Sequence, residues 1–176
     1  MTSRANGGPG STAKRKSKTP GKPVKIHWQG HKSIAENASE KLPEMARGFF
    51  EAGGSLGPDA SFKALHRFRL LTKRFRYTLE LFRPCYGSGL EQRIEALRRL
   101  QQYLGEINDC ATTQALLVAR DSLPEAERDR LVCQVAKLAG SRIAKFQRHW
   151  QRDFAAQRRE NWWIDYLVRF AGRQRR

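Results

Sequence analysis

Apolar residues recur every three to four positions through most of the chain, the period of amphipathic helices rather than strands. Ile34, Ala38, Leu42, Met45, Phe49 and Phe50 keep that spacing over residues 33–52, with Pro43 expected to kink or restart the helix. After a loop at 53–58, a second helix is expected over 61–83, capped by Asp59 or Ser61 and stopped by Pro84 and Gly87. Leu90, Ile94, Leu97, Leu100, Tyr103, Leu104 and Ile107 announce a third, continuing towards Arg120 despite Gly105. Pro124 opens a fourth, expected to reach residue 156, with Leu131, Val135, Leu138, Ile143, Phe146, Trp150 and Phe154 on its apolar side. The segment 160–171 adds Trp162, Trp163, Ile164, Tyr166, Leu167 and Phe170. No stretch alternates with the period of a strand. The expected fold class is therefore all-α: an antiparallel bundle of about four long helices, with a C-terminal aromatic helix that caps it or makes a subunit contact.

The second helix carries two patterns at once. At about 100° per residue, Ala64, Phe68, Leu71, Phe75, Leu79 and Phe82 gather as a core seam, while Arg69, Lys73 and Arg76 fall within about 80° of His66 on another side. From Leu65 to Tyr77 there are five lysines and arginines, Arg67 and Arg74 among them, plus His66 and no carboxylate. A solvated helix usually mixes signs to relieve repulsion, so an external anion is expected to supply the missing charge.

Charge extends this picture. The formal net charge is +17 over 176 residues, with eight lysines and arginines and no acid in residues 1–32, and ten against three acids in 142–176. Such a balance draws polyanions without choosing among them. Residues 1–32 lack periodicity and read as a disordered basic tail; 33–156 reads as the bundle, and 157–176 as the final helix with a second basic tail. Cys85, Cys110 and Cys133 lack the paired spacing of a zinc site or disulfide framework and read as reduced, core-filling thiols. There is neither a signal-peptide core nor a stretch long enough to span a bilayer, so no membrane association and a cytoplasmic location are expected.

The segment LHRFRLLTKRFRYTLELFRPCYG, followed by LRRLQQYLGEIND, resembles the CHAD family of helical domains. The first family motif falls on His66, Arg69, Lys73, Arg76 and Tyr77, and the second on Leu97, Leu100, Gln101, Leu104, Gly105 and Asp109. The resemblance implies a non-catalytic module that binds inorganic polyphosphate and can direct a protein to polyphosphate granules. Family members typically carry two such helical units around a basic groove. This chain has one copy, so it looks like a half-unit, and pairing of two copies would rebuild the groove.

The polyphosphate-binding residues expected from strip and resemblance together are His66, Arg67, Arg69, Lys73, Arg74, Arg76 and Tyr77. Arg142, Lys145, Arg148 and Arg152, at helical spacing with His149 on the fourth helix, are expected to face the same channel. Asp109 is expected to orient a motif cation. A polyanion favours protonated His66, so binding is expected to strengthen as pH falls. No Gly-rich phosphate loop, metal-ligand cluster or nucleophile with a spaced base is present in the sequence, and no cofactor is expected. Sequence-independent nucleic-acid binding is the alternative, with Trp28, Trp162 and Trp163 as candidate stacking platforms.

Overall fold

The computed structural model describes residues 27–120, 122–169 and 171. It contains five α-helices and, among the described residues, no strand: α1 (Ile34–Gly54), α2 (Phe62–Leu81), α3 (Ser88–Val118), α4 (Glu125–Asp153) and α5 (Arg159–Arg169), with a 3-10 turn at Arg83–Cys85 between α2 and α3. The basic N-terminal run up to residue 26 lies outside the described residues.

Local chemistry accounts for the helix starts. Ser33 caps α1 in a capping box, its hydroxyl accepting from the Glu36 amide at 3.2 Å while the Glu36 carboxylate accepts from the Ser33 amide at 2.8 Å. Ser61, not Asp59, caps α2 by accepting from the Ala64 amide. The helix does not restart at Pro43: α1 runs through it, and burial of the proline ring offsets one missing backbone bond.

The core is aromatic and centred on Phe49, whose ring lies 5.4 to 6.5 Å from those of Phe50, Phe68, Phe75, Trp150, Phe154 and Trp163. Helices α1, α2, α4 and α5 thereby meet on one side chain. Gly53 makes this closure possible, since a Cβ there would stand 2.1 Å from Trp150 Cη2.

Helix α5 caps the bundle over α1. The Tyr86 hydroxyl donates to the Leu167 carbonyl at 2.8 Å, and the Tyr166 hydroxyl to that of Gly87 at 3.1 Å. Arg93 completes the attachment from α3. It is 2% exposed, lies between the rings of Trp162 and Tyr166 at 3.5 and 3.8 Å, and donates to the carbonyls of Gly89 and Trp162. Burial pulls its guanidinium down to about 10, so the aromatic faces hold a cation at neutral pH. Trp28 docks on Phe82 with ring centroids 5.1 Å apart. The core-filling reading of the cysteines holds for Cys110; Cys85 is half-buried and Cys133 exposed.

Candidate functional site

Helix α2 meets α3 in an antiparallel register fixed by two side-chain bonds. The His66 ring Nδ1 lies 2.7 Å from Asn108 Oδ1, and Arg76 Nε donates to Gln101 Oε1 at 2.7 Å. With the amide oxygen accepting, Nδ1 carries the proton and Nε2 takes no part in this bond. Between these pinned ends stand Arg69 and Lys73, and Gly105 lies between Gln101 and Asn108 on the facing stripe of α3. A Cβ at Gly105 would meet nothing within 4 Å, so the missing side chain leaves open space on that stripe.

The motif cations fall into two groups. Arg76 is committed within the fold: it binds Glu80 at 2.6 Å as well as Gln101, and its guanidinium lies 4.3 Å from the Tyr77 ring centroid. Glu80 also binds Arg98 at 3.0 Å. The carboxylate absent from Leu65–Tyr77 is thus supplied to Arg76 one turn later, by an i,i+4 pair legible in the sequence. Arg69, half-buried, makes neither an ion pair nor a hydrogen bond with any described residue, and Lys73 has only the Tyr77 ring, 5.7 Å away. These two are the unneutralised centre of the strip.

The remaining expected residues are more dispersed. Arg67 and Arg74 are exposed and without ion pairs among the described residues, but lie on the outer flank of α2, roughly 100° or more from Arg69 and Lys73. Arg142, Lys145, Arg148 and Arg152 do not join the α2 strip, because α4 packs on the opposite flank of α3. Its contacts there are Arg142 with Glu106 at 2.5 Å and His149 over the Tyr103 ring, whereas α2 uses Gln101 and Asn108. Arg152 is further committed to Asp153. Asp109 is exposed and pairs with no described cation, so it does not orient the strip; Asn108, one position earlier and rotated onto the α2 side, does. Asn108 escaped the sequence reading, although its spacing of seven from Gln101 places it on the same stripe. The candidate stacking surfaces are also reduced: Trp163 is 1% exposed, and Trp162 carries Arg93 on its ring.

The α4 cluster has a different consequence. His149 is 5% exposed, its Nδ1 lies 2.8 Å from the accepting Asp153 carboxylate, and its Nε2 is buried without a hydrogen-bond partner among the described residues. Burial pushes the imidazole below its ordinary value, with Asp153 opposing and Arg152 reinforcing the shift. The unfolded chain therefore takes up this proton first, and the associated stability, present above about pH 6.5, is lost as pH falls below it. We expect the melting temperature to drop more steeply between pH 7 and 5 in the wild type than in His149→Gln, measured by circular dichroism. Equal slopes would show that another group governs acid sensitivity.

The sequence matches the CHAD domain family over residues 12–118, well over half of the chain, and the protein belongs to that family. No curated protein and no solved structure matches it. The match takes in α1, α2 and α3, and with them every residue of the α2–α3 strip. Among the described residues, no helix is long and apolar enough to cross a membrane.

Proposed function

We propose that this protein binds inorganic polyphosphate without altering it, through Arg69 and Lys73 on the cationic strip of α2, and that this binding attaches it to polyphosphate granules. Membership of a family associated with polyphosphate supports the ligand class. The observation that carries the site is the pair Arg69 and Lys73, which have no anionic partner among the described residues, while Arg76, Arg98, Arg142 and Arg152 do.

The mechanism follows from those two side chains. Arg69 forks two N–H donors onto phosphate oxygens, and Lys73, one turn and about 6 Å further along the helix, adds a mobile point charge. Asn108 holds His66 by one nitrogen and so fixes the ring on the same face as the two cations. The two neighbouring carboxylates supply no spare acid–base group at the strip: Glu80 is held by Arg76 and Arg98, and Asp109 makes no contact there.

Gly105 offers a test specific to this geometry. Gly105→Ala is expected to keep binding and raise stability by about 0.5–1 kcal/mol, because the new methyl enters open space within a helix. Gly105→Glu is expected to weaken polyphosphate binding about tenfold or more by placing a carboxylate on the α3 stripe that faces α2. Wild-type affinity in a folded Gly105→Glu protein would refute the site.

A further inference from the structure

The apolar seam of α3 outruns the bundle it belongs to. Leu97, Leu100, Leu104 and Ile107 are buried, and helical geometry continues their line through Ala111, Ala115 and Val118. Yet Ala115 is exposed and Val118 is 60% exposed. The cause is register: His66 sits level with Asn108 and α2 begins at Phe62, so beyond the level of Ala111 no turn of α2 covers α3. Helix α4 behaves likewise, for it starts at Glu125 but its first buried residue is Ala139. Residues 111–138 thus project as a helical hairpin, with Leu116 and Leu138 65% and 49% exposed. Uncovered apolar surface of this kind marks an association site.

Charge indicates the occupant. The chain carries +17, whereas residues 111–138 hold four bases, Arg120, Arg128, Arg130 and Lys137, against four acids, Asp121, Glu125, Glu127 and Asp129. An acidic partner would be drawn to the strongly cationic remainder of the molecule. Two copies, which repel one another elsewhere, meet without net repulsion across this neutral segment. Among the described residues of the tip, Glu125, Glu127 and Asp129 are interleaved with Arg120, Arg128 and Arg130, so the tip is itself close to neutral.

We propose that the hairpin 111–138 is a homodimer interface, pairing with the same hairpin of a second copy about a two-fold axis to form an intermolecular four-helix bundle. Pairing there leaves Arg69 and Lys73 open to solvent, and neither dimerisation nor anion binding requires the other. The test is sedimentation equilibrium of the full chain at high salt, where general repulsion is screened. The wild type is expected to be a dimer at micromolar concentration. The double substitution Ala115→Glu, Val118→Glu, at exposed helix positions, is expected to raise the dimer dissociation constant at least a hundredfold, with helical circular dichroism unchanged. Leu81→Glu, at a 73% exposed apolar residue on the far end of α2, is expected to leave the dimer intact and so controls for nonspecific stickiness. A monomeric wild type, a dimer unmoved by the hairpin substitutions, or one broken equally by Leu81→Glu would overturn the proposal.

Discussion

Replacing Arg69 and Lys73 together by alanine is expected to weaken polyphosphate binding about a hundredfold, or roughly 3 kcal/mol, at physiological salt. Each side chain offers charge-assisted hydrogen bonds to phosphate, and neither has a protein anion that would be stranded by its loss. The fold should therefore survive, with the melting temperature within a few degrees of the wild type. The informative control is Arg67→Ala, Arg74→Ala, which removes the same net charge from the outer flank of the same helix. Its expected loss is several-fold, the share due to general electrostatic attraction. Equal losses in the two variants, read by isothermal titration, would mean that total charge governs binding and the strip does not.

The largest expected effect on stability belongs to Arg93→Ala, at about 3 kcal/mol, or a fall of roughly 10 °C in melting temperature for a chain of this length. Arg93 occupies a seam position of α3 between Leu90 and Leu97, where the helical period calls for an apolar residue. Its guanidinium is instead stacked between Trp162 and Tyr166 and bonded to two carbonyls, so truncation leaves a cavity and removes two cation–π contacts at a desolvated site. Loss of near-ultraviolet circular dichroism and a red shift in tryptophan emission should accompany it, as α5 loosens from the bundle. A variant as stable as the wild type, with its near-ultraviolet spectrum intact, would show that the hydroxyl bonds of Tyr86 and Tyr166 hold α5 unaided.

The fold was legible because five amphipathic segments declare their period locally, and the starts of α1 and α2 carry their own signals in Ser33 and Ser61. The strip on α2 was legible for the same reason. Which of its cations are free was not, because that depends on side chains brought in by α3, whose register against α2 no single-helix pattern contains. Gln101 and Asn108 secure Arg76 and His66, while Glu106 takes Arg142 out of contention from the other flank. Periodicity also could not assign neighbouring tryptophans: Trp163 enters the core, while Trp162 lies over a buried arginine that the sequence shows only as a misplaced cation in an apolar seam. The projection of residues 111–138 was hidden similarly, since the α3 seam looks the same whether or not another helix reaches it.

The measurement that bears most directly on the function is competition between long-chain polyphosphate and duplex DNA of equal phosphate content for the full-length protein at physiological salt. The two polymers match in phosphate count, so generic attraction is expected to act on both. Polyphosphate is predicted to displace DNA when present at a small fraction of the DNA phosphate concentration. Displacement only at parity or in excess would contradict a polyphosphate site and leave a nonspecific polyanion binder.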